Sequence, residues 1–259
     1  TAATVFNGGF AANAASTITT SSTDTPLSLV YTGAAANVGP VLDLYRNSAS
    51  PADSDVVGRI NFKGENSAGE SIDYAYLTGI ILDVTDGTED GYIAIRSMLA
   101  GSDIPRITMD GTETVINDGS ADLNFRVESN GNANMLFVDG GEDAVGIGTI
   151  PPAWRAGYGD VGFNVGVSAA LYDQTGGGVF LVNNWYRADD NTLTYRNTNE
   201  AQYIAMDAGI FSFQTAPSGS AGAAITFTET MKIDATGAVT KPLQPAFLAK
   251  VASAQNNLA

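Results

Sequence analysis

The chain has 259 residues and a formal net charge of −16, from 12 Lys and Arg against 28 Asp and Glu, which disfavours nucleic-acid binding by phosphate neutralisation. Cysteine and histidine are both absent, so disulfides, Ser-His-Asp and Cys-His nucleophiles and the usual zinc sites are removed. Only 15% of the residues are charged while 44% are hydrophobic, which leaves the surface to Ser, Thr, Asn, Gly and Ala and argues against disorder.

Residues 1–37 form a low-complexity connecting segment rich in Ala, Thr, Ser and Asn, with the first charge at Asp24. Val5, Phe6, Phe10 and Ile18 are poor choices for a free tail, so the segment is expected to order against neighbouring subunits. It lacks the basic start and continuous apolar centre of a signal peptide, and no run of 18 apolar residues predicts a membrane span. A start at Thr1 is expected to mark a processed chain or a fragment.

Residues 38–104 read as an antiparallel β domain of four or five strands. Val41–Arg46, Val56–Lys63, Ile72–Val84 (bulged at Gly79) and Tyr92–Met98 are its expected strands, separated by Asn-, Ser-, Gly- and Asp-rich loops. Residues 105–152 read as a hairpin-repeat shaft module, ended by Pro151-Pro152, which cannot continue a central strand and so marks a boundary or hinge. A second β shaft domain occupies 153–240, with strands expected at 161–167, 179–186, 193–196, 203–206, 210–213, 225–227 and 231–233. Gly176-Gly177-Gly178 and Ala216-Pro217-Ser218-Gly219-Ser220 are expected separators. Residues 241–259 read as a linker and the start of a C-terminal head, with a helical pattern over Phe247–Leu258.

One unit recurs: an apolar residue, Asp, a small-residue turn, then a returning strand. It appears at Met109-Asp110-Gly111-Thr112, Val138-Asp139-Gly140-Gly141, Met206-Asp207-Ala208-Gly209 and Ile233-Asp234-Ala235-Thr236-Gly237. Asp accepts hydrogen bonds from the backbone just ahead of it and Gly supplies positive φ, so each predicts a hairpin. Isolated hairpins bury too little to offset their ordering and need neighbours. Their uneven spacing argues against a strict solenoid and for identical chains around an axis, for which a three-fold buries every hairpin edge at once.

Carboxylate pairs remain as a catalytic resource, at Asp53 with Asp55 and at Glu89 with Asp90, but both lie in polar turns and read as solvated turn formers. Asp53-Ser54-Asp55 opens like an EF-hand loop and fails at Val57 and Gly64, where ligands are required. Asp83, Asp86, Glu89 and Asp90 cluster in one turn as candidates for a weak calcium site. Gly146-Ile147-Gly148 is followed by prolines and no helix, so no phosphate site is read there. No catalytic, cofactor-binding or metal residue is assigned. Trp154, Tyr158, Tyr172, Trp185, Tyr186, Tyr195 and Tyr203 would suit stacking on sugars, but packing between strands or subunits is the favoured reading.

The block from Asp122-Leu123-Asn124-Phe125-Arg126 through Leu136-Phe137-Val138-Asp139 to Val145-Gly146-Ile147-Gly148-Thr149 closely resembles a module of tailed-bacteriophage tail fibres. Leu42–Asp53 with Val57–Ile60 resembles another, and Ala246–Ala249 with Gln255–Asn257 looks like the opening of a complement-type globular head. The resemblance implies an all-β chain of short antiparallel strands and hairpins in stacked layers, intertwined as a homotrimeric β-prism-like or sandwich fibre. It further implies a virion, extracellular location, contacts with other virion proteins, and a distal end that meets a host glycan or protein receptor. The expected function is structural and non-enzymatic, without cofactor. The alternatives are a tailspike-type polysaccharide depolymerase and a cellular surface adhesin or filament subunit.

Overall fold

The computed structural model describes residues 12, 14–36, 38–155 and 159–244. Among them there is no helix, and the chain is all-β. The helical pattern at Phe247–Leu258, the head-like ending, and Tyr158 lie outside the described residues.

Five strands form an antiparallel meander in sequence order: β1 (Val56–Glu65), β2 (Ser71–Asp83), β3 (Asp90–Leu99), β4 (Ser102–Met109) and β5 (Thr114–Ile116). The predicted bulge near Gly79 is present, but its extra residue is on the partner strand: Val57 is skipped between the Val56–Ile80 and Gly58–Gly79 pairs. Val41–Arg46, expected as a strand, is not one; it runs exposed beside β1 without a ladder partner.

The second sheet has ten strands in the order β17-β16-β15-β14-β11-β10-β9-β8-β7-β6. They are β6 (Phe125–Val127), β7 (Leu136–Asp139), β8 (Ala144–Ile147), β9 (Val161–Val165), β10 (Ala169–Asp173), β11 (Val179–Asn183), β14 (Asn199–Asp207), β15 (Ile210–Gly219), β16 (Thr228–Ile233) and β17 (Val239–Thr240). β8 and β9 are parallel; the other pairs are antiparallel. The Pro151-Pro152 stretch does end β8's run, but the chain crosses over and rejoins the same sheet, so one sheet is continuous across it. Between β11 and β14 the hairpin of β12 (Trp185–Arg187) and β13 (Leu193–Tyr195) leaves the sheet and folds over one face. Asn184 staples that excursion: at positive φ, its Nδ2 donates to the carbonyls of Asn197 and Glu200, and its Oδ1 accepts from Asn197 N.

The core lies between this face and the segments that cover it. Trp154, from the β8–β9 crossover, stacks on Tyr172 with ring centroids 4.5 Å apart and planes 16° apart. Trp185 meets Trp154, Tyr172, Phe180, Tyr203 and Phe227 edge-on. Ala170, Ala201, Ala205 and Ala216 provide the shallow floor on which these rings fit.

All four Asp-led units are hairpins, built in two ways. Asp110, Asp139 and Asp234 each accept backbone N–H bonds from the turn ahead of them. At Asp207 the turn is carried instead by Ala208 and Gly209, both at positive φ (50° and 77°), the pattern of a two-residue primed turn.

Candidate functional site

The residues considered for chemistry do not converge among the described residues. Asp53 accepts from Val84 N at 3.0 Å; Asp55 pairs with Arg46 at 2.8 Å and accepts from Ala52 N. Asp83 accepts from Thr85 N and Thr88 Oγ1, and Glu89 from Gly87 N. The hydrogen bonds from Thr85 hold the Asp83 carboxyl below its ordinary value. Among the described residues, no three His, Cys, Asp or Glu side chains gather as a metal site, those of Asp83, Asp86, Glu89 and Asp90 included. Of the aromatics considered for sugar stacking, Trp154, Tyr172, Trp185 and Tyr195 are buried in the core, and Tyr186 and Tyr203 pack half-buried against it.

One buried polar group stands out. Asp160, with no solvent exposure, receives Arg155 Nε at 3.0 Å, Arg155 Nη2 at 3.2 Å, Thr175 N at 2.9 Å and the Tyr172 hydroxyl. Burial alone would raise its pKa, but the bonds from Arg155, Tyr172 and Thr175 outweigh that and leave it lowered. Burial and the Asp160 contact push the Tyr172 hydroxyl up. All four lone-pair positions of the carboxylate are engaged within the chain, which makes this a clamp that fixes the Trp154 crossover.

The surface with unspent capacity is the other face of the ten-stranded sheet. Reading directly opposed residues across it gives Phe125–Val138–Val145–Phe163–Leu171–Leu181–Ile204–Phe213–Met231, one apolar side chain on each of nine strands. Leu171 is 49% and Leu181 56% exposed. A flanking row runs Val161–Asp173–Val179–Met206–Phe211–Ile233–Val239. The row on the other flank runs Val127–Leu136–Ile147–Val165–Ala169 and ends in Asn183, Gln202, Thr215 and Thr228. Asp173 is the one charged residue in the three rows.

The five-stranded sheet repeats the pattern. Ile60–Leu77–Ile95–Ile107–Ile116 crosses all five strands on one face. The opposite face carries Arg59, whose guanidinium lies 3.4 Å over the Tyr76 ring, and the Tyr76–Asp103–Arg96 cluster. The two apolar rows open on one cleft of about 440 Å³, lined by Ile107 and Ile116 from the first and Phe125 and Val138 from the second. An apolar band this extended exceeds what a monomeric surface ordinarily shows.

Sequence patterning located most of these strands but did not show which of their faces the chain itself covers. The missed signal was in β9, where the residues between Val161, Phe163 and Val165 are Gly162 and Asn164.

No known protein family matches the chain, and no curated protein sequence is similar to it. Among solved structures, the carboxy-terminal domain of the bacteriophage T5 L-shaped tail fibre is similar at a TM-score of 0.29 and 11% identity, over 90% of this chain and 99% of that one. At that level nothing about function transfers from it.

Proposed function

We propose that the protein is a structural, non-enzymatic fibre element in which three copies associate through the uncovered faces of their sheets. The observation that carries this reading is the uncharged apolar row across nine strands, left bare by a chain that carries a net charge of −16. Chains of like charge repel, and an uncharged face is where they can meet without placing acids against acids. The mutual burial of three such faces forms stacked β layers and makes separation of one copy costly.

The virion setting is supported by the resemblance of Asp122–Thr149 to fibre shaft modules, with other virion proteins at one end and a host glycan or protein receptor at the other. Light scattering coupled to size exclusion tests the assembly. A mass three times the chain's 26.7 kDa at micromolar concentration is expected. A monomer at that concentration overturns the reading.

A further inference from the structure

Every described residue from Ala12 to Arg46 is exposed and none belongs to a strand. Within this arm Val38 is 81%, Val41 66% and Leu42 59% exposed, too much apolar surface for a solvated tail. Its root, by contrast, is fixed. Arg46 pairs with Asp55 at 2.8 Å and donates to the Val56 carbonyl at 3.1 Å. Leu44 sits over Gly58, where a Cβ would come within 2.9 Å of the Leu44 Cβ. Gly58 and Gly79 are directly opposed, and together they form the depression that takes Leu44 on the apolar face of the five-stranded sheet.

Leu44 thus occupies its own chain's face, while Val38, Val41 and Leu42 before it stay exposed. We propose that Val38–Leu42 of one copy lies across the Ile60–Leu77–Ile95–Ile107–Ile116 face of a second copy, so that neighbouring chains are strapped together by exchanged arms. The proposal rests on the self-association reading above and adds a specific contact to it.

Three observations select a second copy as the occupant. In a closed ring of identical chains, equivalent sheets lie at the same level, so an arm rooted on this sheet meets the same sheet of its neighbour. The length is compatible: five extended residues from Val38 to Leu42 reach roughly 17 Å, enough to cross four of the five strands at a spacing of about 4.8 Å. Neither Val38–Leu42 nor the isoleucine row carries a charge, so the contact brings no acids together despite the chain's acidity.

The absence of cysteine makes the test direct. In the full-length chain, Leu42→Cys is combined in turn with Leu77→Cys, Ile95→Cys and Ile107→Cys, because a disulfide forms only when the Cα atoms are within about 7 Å. Mild oxidation of at least one pair is expected to give chain-to-chain links, seen as dimers and trimers on a denaturing gel. The same links are expected when the two single variants are refolded together. In parallel, Leu42→Asp is expected to leave the circular dichroism unchanged and weaken association at least tenfold. Links confined to single chains, a trimer with no links from any pair, or undiminished association of Leu42→Asp would each overturn the exchange while leaving self-association standing. A monomeric wild-type protein would overturn the self-association reading first and the exchange with it.

Discussion

Leu181→Ala isolates the contribution of the bare face. Leu181 occupies the middle of the apolar row, between Leu171 and Ile204, and 56% of it is exposed in the single chain. Complete burial of a leucine is worth about 2 kcal/mol, so the exposed share offers about 1 kcal/mol on association. A trimer contains the site three times, which makes about 3 kcal/mol, or roughly a hundredfold in the trimer's equilibrium constant. Within one chain the loss is no more than about 1 kcal/mol, too little to unfold an ordinary domain. Sedimentation equilibrium over a concentration series reads the shift, with circular dichroism as the control for folding. A dissociation curve that superimposes on the wild type, from a chain that is still folded, refutes the assignment of this face to the interface.

The remaining predictions concern the covered face and the charge. Gly162→Ala places a Cβ 2.1 Å from Trp154 Nε1, so the ring must leave its stack on Tyr172; a loss of near-ultraviolet dichroism with strand content retained is expected, and an unchanged spectrum argues against that packing. Asp160 has a lowered folded pKa, so its contribution is complete above the unfolded value near 4 and disappears as pH falls through the folded value; wild-type stability should therefore drop more steeply in that acid range than that of Asp160→Asn, and parallel profiles contradict the clamp. Raising salt from 0.05 to about 0.5 M should strengthen association by screening the repulsion among copies, whereas an interface built on ion pairs would weaken.

The hairpins were legible because their signals are local: Asp110, Asp139 and Asp234 each bond the turn immediately ahead of them, whatever the rest of the chain does. Other elements depend on partners that a linear pattern does not display. β10 went unpredicted, since Ala169 and Ala170 carry almost no strand preference and the strand is set by the ladders of β9 and β11 on its two sides. Val41–Arg46 has strand-like alternation yet joins no ladder among the described residues. Ala216–Ser220 was expected to interrupt the sheet, but β15 continues to Gly219. Pro217 is accommodated where the ladder skips between Asn199 and Ala201, and its carbonyl accepts the Tyr195 hydroxyl. The aromatic residues were visible as a group, but the clamp of Arg155, Asp160, Tyr172 and Thr175 required tertiary placement.

β9 carries the argument for an unfinished surface in its own alternation. A strand in a self-sufficient domain turns its apolar residues toward the core, and a slip of one residue would exchange its two faces. Here the inward positions hold Gly162 and Asn164, and the outward ones hold Val161, Phe163 and Val165. The inward face is nonetheless tightly specified. Gly162 leaves room for Trp154, while Asn164 Oδ1 accepts from Trp154 Nε1 at 3.3 Å and from Arg196 Nη1 at 3.1 Å. No slip can bring the valines inside without stranding those donors, at a cost of about 1–3 kcal/mol for each buried group left unpaired. The inner face is therefore fixed by aromatic packing and hydrogen bonds, and the outer face keeps Val161, Phe163 and Val165 exposed. Under the proposed association, one face is completed within the chain and the other is left for a neighbouring copy.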